Sequence, residues 1–533
     1  MIRLNEVRLP LDHDDLAIPA AIAQRLSIDP TAVENFHVFR RGYDARKQSQ
    51  IMLVYTLDVS VKNEAQVLAA NQSKPNIKLT PNTEYQFVAK APANLTQRPI
   101  VIGTGPCGIL AGLVLAQMGF KPIILERGKI VRERTKDTFA LWRERKLNTE
   151  SNVQFGEGGA GTFSDGKLHS QIKDPKNYGR KVLTEFVKAG APDEILYLSK
   201  PHIGTFKLVG MVEKIREEIE ALGGEFHFSS KVEKLILDEN RQVKGVQLAD
   251  NSQLQSEHII LAIGHSARDT FQTLLDQGVY IESKPFSIGF RIEHPQSLID
   301  KARFGKNAGH PLLGAADYKL VHHCKSGRSV YSFCMCPGGT VVAATSEENR
   351  VVTNGMSQYS RNERNANSGI VVGISPEDFP GGPLAGLDFQ RQLESNAFLM
   401  GGENYNAPAQ LVGDFLENKT SKKLGSVTPS YTPGVTLTNL KDALPEYAIQ
   451  AIREAIPAFD KKIKGYAMYD AVLTGVETRT SSPICVKRDN SFQSVNTLGL
   501  YPAGEGAGYA GGILSAAVDG IKVAEAVAKS MSG

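Results

Sequence analysis

Three apolar residues, Ile100, Val101 and Ile102, run straight into Gly103-Thr104-Gly105-Pro106-Cys107-Gly108, and a helical apolar pattern through Ala111 and Leu115 follows at once. This placement makes the glycines informative. Gly103 permits a tight turn, Gly105 lets backbone approach a pyrophosphate, and Gly108 allows close helix–strand packing, with Pro106 inside the same cofactor-binding turn. An anion there meets unpaired N–H groups at the positive end of the helix dipole. Glu126 closes the next apolar strand, Pro122–Leu125, 23 residues after Gly103. A carboxylate at that point accepts hydrogen bonds from a ribose and repels a 2′-phosphate, so the adenosine half is expected to be unphosphorylated. The GxGxxG spacing recurs at Gly156 and Gly506, but only the first copy has the strand, helix and acid around it.

The rest of the chain organises around this turn. At 533 residues, length favours two or three domains. Residues 1–95 read as strand 2–9, helix 16–26, strands 35–41 and 51–62, helix 63–70 and strand 84–89, the β-α-β-β-α-β order of a ferredoxin-like α+β unit. Residues 96–284 carry the first part of a Rossmann-like α/β domain, residues 285–465 a mixed α+β substrate domain inserted into it, and residues 466–533 its resumption. Within the insert, the polar run Asn362–Ser368 and the cluster Pro380–Pro383 read as loops. Charges nearly balance, at 61 basic and 57 acidic residues, which disfavours a nucleic-acid or membrane surface for the whole molecule. Five cysteines in so long a chain read as thiols, and with no long uncharged apolar stretch the expected location is the cytoplasm.

Two further glycine-rich segments extend the site. Gly156-Glu157-Gly158-Gly159-Ala160-Gly161-Thr162, followed by Ser164, Asp165, Gly166 and Lys167, suits an extended ligand lying flat on backbone. Ala503-Gly504-Glu505-Gly506-Ala507-Gly508-Tyr509-Ala510-Gly511-Gly512 leads into a helix that opens at Ile513. Val232 and Gly264, the latter closing the strand 258–263, complete the expected cofactor-binding set. With Glu126-Arg127-Gly128 and Arg134, the chain from Pro99 onward resembles FAD-dependent oxidoreductases of the glutathione-reductase-like superfamily. More narrowly it resembles a bacterial family of uncharacterised FAD-dependent dehydrogenases, through stretches such as Tyr331–Gly339 and Thr478–Pro483. The resemblance implies FAD, an approach of Arg134 to the cofactor phosphates, a contact of Glu505 with the ribityl chain, and a helix N-terminus at the flavin N1–C2=O edge.

Candidate chemistry lies in the insert. Cys334 and Cys336 are two apart, so a regular strand would turn both thiols to one face, where they could pass electrons to a substrate. Inert buried thiols are the alternative. Arg291, Glu477 and Arg479, with His294 nearby, are charged residues in apolar or glycine-containing stretches, fit either for a carboxylated substrate or for structural ion pairs. His322, His323 and Cys324 could join the two cysteines at a metal, but the spacing matches no standard ligand pattern and no metal is assigned. Arg40, Arg41, Arg46 and Lys47, interleaved with Phe39 and Tyr43, could touch RNA; a solvated face or a domain contact is the favoured reading. The expected function is thus an FAD-dependent oxidoreductase acting on an unidentified small molecule. No second dinucleotide unit is visible, so NAD(P)H would be a transient donor without a full domain of its own, or the donor is a protein. The alternatives are a flavin-dependent RNA-modifying enzyme and a non-catalytic FAD-binding assembly or regulatory protein.

Overall fold

The structure, a computed structural model, describes residues 1–532. At its centre is a five-stranded parallel sheet in the order Leu500–Pro502, Ile259–Leu261, Ile100–Ile102, Ile123–Leu125, Glu225–His227. Numbered along the chain this is 5-4-1-2-3, the order of a doubly wound sheet. Its strands are short apolar runs because both faces are covered: Val101, Ile124 and Ile260 enter one hydrophobic cluster, whereas Ile100, Ile102, Leu125 and Leu261 enter another. Order reverses between Ile100–Ile102 and Ile259–Leu261, which opens a crevice directly beyond Ile102. The helix Pro106–Gln117 is buried from Cys107 to Ala116. It lies so close to the helix Ile513–Ser532 that a Cβ on Gly520 would sit 2.2 Å from the Cys107 carbonyl oxygen. No helix among the described residues is long and apolar enough to cross a membrane.

The N-terminal unit is a four-stranded antiparallel sheet, ordered Val33–Asp44, Met52–Val61, Ile2–Pro10, Ile77–Leu79, with helices Ala17–Leu26 and Glu64–Ala70 in its connections. Its last strand is not the expected 84–89. Tyr85 and Val88 instead pack against the cluster beside the parallel sheet, and the Tyr85 hydroxyl donates to Glu525 Oε1 at 3.0 Å. That stretch is therefore a tether, held by the neighbouring domain rather than by strand pairing.

The insert is built on a seven-stranded sheet, ordered Val321–His323, Ser329–Cys336, Asn365–Ile374, Phe286–Pro295, Val472–Glu477, Ala407–Leu411, Val435–Leu437. Two sequence expectations change here. The strand Val472–Glu477 pairs with both Phe286–Pro295 and Ala407–Leu411, so the insert extends past residue 465. Of the polar run Asn362–Ser368, the last four residues are not a loop but the start of the buried strand Asn365–Ile374. Its polarity is accommodated by partners: Asn365 Nδ2 donates to Glu293 Oε1 at 3.0 Å and to the Thr428 carbonyl at 2.9 Å. The N-terminal sheet and the insert share one continuous apolar core, distinct from the clusters covering the parallel sheet.

Candidate functional site

A cavity of about 740 Å³ occupies the crevice at the strand reversal and runs outward between the parallel sheet and the insert. Its floor is backbone. Gly103 adopts φ +100°, and a Cβ there would lie 2.2 Å from the Ala262 carbonyl oxygen. A Cβ on Gly108 would lie 1.9 Å from the Gly103 oxygen. Across from this turn, Gly159 has φ +64°, and its Cβ would meet the Gly105 Cα at 2.7 Å, so two glycine backbones face each other. Gly105 and Pro106 line the cavity where the helix Pro106–Gln117 begins. Ala160, Gly161, Asp165 and Lys167 continue the wall from the second glycine loop. Val232 and Gly264 line it from the parallel-sheet domain, and Gly504, Glu505, Gly511, Gly512 and Ile513 from the C-terminal turn.

Glu126 joins these pieces. Its Oε2 accepts from the Thr104 amide at 3.1 Å and the Thr104 hydroxyl at 2.6 Å, and its Oε1 accepts from the amides of Gly128 and Gly156, each at 2.9 Å. Four donors use the carboxylate's ordinary capacity, so a ribose hydroxyl reaching it would share an oxygen with one of them. Arg127 lines the cavity, stacks 4.1 Å over the Phe155 ring and forms two-pronged pairs with Glu150 and Asp269.

Three expected cofactor contacts lie behind the wall. Arg134 is fully buried, and its guanidinium donates to the carbonyls of Asn152, Val153, Glu157 and Gly159. It shapes the second glycine loop and does not line the cavity, because its side chain turns inward from the helix Val131–Glu144. Gly158 and Thr162 are in the same supporting layer. The Gly158 amide donates to the Thr104 carbonyl, and Thr162 Oγ1 accepts from Arg134 at 3.4 Å.

The insert closes the outer half of the cavity. Cys334 and Cys336 both line it, but a bulge in the strand Ser329–Cys336 breaks the expected alternation. Cys334 sits at φ +41° with its side chain exposed to the cavity, whereas Cys336 is buried and its thiol donates to the Cys334 carbonyl at 3.3 Å. Enclosure by the protein pushes the Cys334 thiol up to about 12 and raises Cys336 as well, so both are protonated at neutral pH. Arg291 and Glu477 are not in the cavity. Arg291 is fully buried, donates to the carbonyls of Phe333 and Cys334, and lies 3.5 Å from Glu477, which also accepts from the Thr353 hydroxyl. From behind the bulge, Arg291 holds the backbone carbonyls of Phe333 and Cys334, with Glu477 beside it. His294 is likewise internal, bonded to the Tyr466 carbonyl.

Arg479 does reach the cavity. Its Nε and Nη2 donate to the two oxygens of Glu394, and its Nη1 donates to the hydroxyls of Ser266 and Ser346. Glu394 also takes a two-pronged bond from Arg268, which holds its carboxyl well below the usual range despite complete burial. Beside this group stands His265, which sequence reading missed. Burial, then the charges of Arg479 and Arg268, lowers its imidazole to about 3, and Nδ1 contacts the Ser266 hydroxyl at 3.0 Å. The available signal was position: His265 follows Gly264 at the carboxyl end of a strand flanking the reversal point, where crevice residues of such sheets stand. Asp317, Tyr318 and Lys319 were also missed and line the outer end. Glu505 faces the cavity, and burial pushes it up to about 7, partly offset by Lys284.

The metal alternative is divided by the fold. His322, Cys324 and Glu454 bring ligand atoms within 4.8 Å of one another, but His323 turns to the Ser329 hydroxyl and the cysteine pair lies in the cavity. The N-terminal basic residues are divided too: Arg46 pairs with Asp44, and Arg41 turns into a cleft between domains.

An uncharacterised protein of Clostridium beijerinckii is 50% identical to this chain over 526 residues, covering 98% of each. The chain belongs to that protein's family. Residues 285–480 match a family described as FAD-dependent protein, C-terminal domain-like, and residues 1–60 match a domain of unknown function. The matched range agrees with the seven-stranded insert and includes the strand Val472–Glu477. Solved structures that resemble the chain include a point mutant of the E. coli quinol fumarate reductase FrdA, at 13% identity and a TM-score of 0.36, covering 82% of this chain and 70% of that one. A 3-ketosteroid-Δ4-(5α)-dehydrogenase from Rhodococcus jostii gives 11% identity and a TM-score of 0.35, covering 84% and 99%. CtdE in complex with FAD gives 11% and 0.30, covering 80% and 82%.

Proposed function

We propose that the chain is an FAD-dependent oxidoreductase that acts on a small molecule held between its parallel-sheet domain and its insert. The observation that carries this reading is the convergence of the Gly103 turn, the Gly159 loop and the start of the helix Ile513–Ser532 on one cavity at the strand reversal. The residues present fit the cofactor. A Cβ on Gly264 or Gly511 would meet no protein atom within 4 Å, although both line the cavity, so the walls keep room for a ligand at those points. The cavity volume lies in the range of pockets that hold ligands of cofactor size. The match of residues 285–480 to an FAD-dependent family supports the same choice.

The roles follow from placement. The first helical N–H groups of Pro106–Gln117 would hold the pyrophosphate, and the opening of Ile513–Ser532 would face the anionic edge of the ring system. Bound there, FAD would accept electrons from a donor and pass a hydride or electrons onward to the small-molecule substrate. Arg479, anchored by Glu394, keeps one N–H on Nη2 without a partner among the described residues and would orient an oxygen-bearing substrate. His265, kept neutral by burial and by Arg479 and Arg268 and with Nδ1 on Ser266, would hydrogen-bond a substrate through Nε2 without carrying its proton. NADH, NADPH or a reduced protein partner would supply the electrons from the outer side.

Purified protein should carry, or take up, one FAD per chain with an oxidised-flavin absorbance band. Anaerobic addition of NADH, NADPH and dithionite in separate cuvettes then tests turnover competence. A colourless protein that takes up no added FAD defeats this reading.

A further inference from the structure

Beside the dinucleotide cavity is a second one of about 390 Å³, and the two share Lys167, His169, Lys200 and Asp317 as walls. The second cavity forms where three parts of the chain meet: Arg41 and Tyr43 come from the N-terminal sheet, Glu194 and His202 from the parallel-sheet domain, and Tyr359 and Arg361 from the insert. The N-terminal sheet is fastened at this point through its edge strand. The Arg41 amide donates to the Tyr197 carbonyl at 2.6 Å, and the Ser199 amide donates to the Arg41 carbonyl at 2.8 Å. A Cβ on Gly42 would lie 2.7 Å from Ser199 Oγ and 3.2 Å from its Cβ, so a larger residue there would have to turn the Ser199 side chain aside.

Charge at the junction is unbalanced. Five cationic side chains, Arg41, Lys167, Lys200, Lys319 and Arg361, border the two cavities there, against the carboxylates Asp165, Asp317 and Glu194. Asp165 is engaged by Arg361 and Asp317 by Lys200, and Glu194 accepts the Tyr359 hydroxyl. Lys167 reaches Asp165 only at 3.9 Å. Arg41 and Lys319 form no ion pair among the described residues. The imidazoles sense the excess: burial, then Lys167 and Lys200, lowers His169, and burial, then Arg361, lowers His202 to about 4. Uncompensated cations around a concave place focus a positive potential on whatever enters.

We propose that the junction of the two cavities is the docking chamber for a substrate bearing an oxyanion, a carboxylate or a phosphate ester, gripped by Arg41, Lys319 and Lys167. The N-terminal unit then forms one wall of the substrate site. Taking the oxyanion as part of a redox substrate rests on the FAD reading above; the binding itself does not.

The test is calorimetric titration of FAD-loaded protein, in low-salt buffer, with succinate in one arm and inorganic phosphate in the other. Saturable binding at one equivalent per chain is expected in at least one arm, and the arm that binds distinguishes a carboxylate from a phosphate ester. Lys319→Gln and Arg41→Gln are each expected to weaken it at least tenfold, with unchanged FAD absorbance per chain. Arg41→Lys, which keeps the charge, should restore most of the affinity, and added KCl should weaken it. Equal affinity in wild type and both Gln variants, or no saturable binding in either arm, would overturn the proposal. A protein that binds no FAD but still loses anion binding on Lys319→Gln would sink the redox reading and leave this one standing.

Discussion

The two ends of the composite cavity recognise ligands by different means. At the inner end the walls are glycine backbone, and the nearby charges are already engaged, Glu126 by four donors and Arg127 by two carboxylates. At the outer end the walls are side chains from three domains, and cations outnumber carboxylates. Backbone recognition demands particular conformations, so it fixes residue type at consecutive positions. Side-chain recognition demands only that charged groups converge, and residues as distant as Arg41 and Lys319 can supply them. The inner end therefore suits a ligand common to many proteins, whereas the outer end suits one particular to this family.

The strongest test of that contrast compares two glycines. Gly103→Ala would force a side chain into φ +100° and to 2.2 Å from the Ala262 carbonyl oxygen. Strain and overpacking together should destabilise the fold by about 3 kcal/mol, with loss of FAD. Gly511→Ala meets no protein atom, so its melting temperature without cofactor should equal wild type while FAD affinity falls more than tenfold. Thermal melts and FAD titrations of both variants check this. Equal FAD affinity in Gly511→Ala and wild type would show that Gly511 keeps no space for the cofactor.

A smaller effect probes Glu505. Its carboxyl titrates at 4.5 ordinarily and near 7 in the folded chain. A raised folded value means the folded state holds the proton longer, so this group makes stability fall as pH rises from about 4.5 through about 7. Below that window both states are protonated and it contributes nothing. Glu505→Gln should remove this dependence and be more stable than wild type at pH 8 by about 2 kcal/mol, after allowing for partial exposure, with no difference at pH 4. Denaturant unfolding at the two pH values measures it. Parallel pH profiles for the two proteins would show that Glu505 ionises normally.

The inner end was legible because its signals are local. Strand, turn, helix and acid fall within Ile100–Glu126, and each constrains its neighbours through backbone geometry. What failed was non-local. Nothing near Val472 says that its strand pairs with Phe286–Pro295, and nothing near Arg134 says that its guanidinium will be enclosed by the carbonyls of residues 152–159. The stretch 84–89 has strand-like composition, but Tyr85 found a better partner in Glu525. Lys319 and Asp317 gave no local sign at all, since their meaning depends on Lys167 and Lys200 being folded against them. Position after a strand could have flagged His265; composition could not.

The smallest expected effect concerns Cys334, where the sequence suggested a regular strand and the structure has a bulge. A non-glycine residue at φ +41° carries a cost of about 1 kcal/mol relative to glycine, and such strain persists where the side chain is needed. Cys334→Gly should therefore raise stability by about 1 kcal/mol, measured by denaturant unfolding, because it relieves the backbone and removes a side chain that faces open cavity. Arg291, which donates to the Cys334 carbonyl, keeps the bulge in either case. If the thiol serves only as filler, the variant should match wild type in the rate at which a reductant bleaches bound FAD and in any turnover later found. Gained stability with lost turnover would assign Cys334 a role in the chemistry, and a protonated one, since enclosure holds its thiol near 12. Lower stability in the variant would mean that the bulge is set by side-chain packing and not by the backbone.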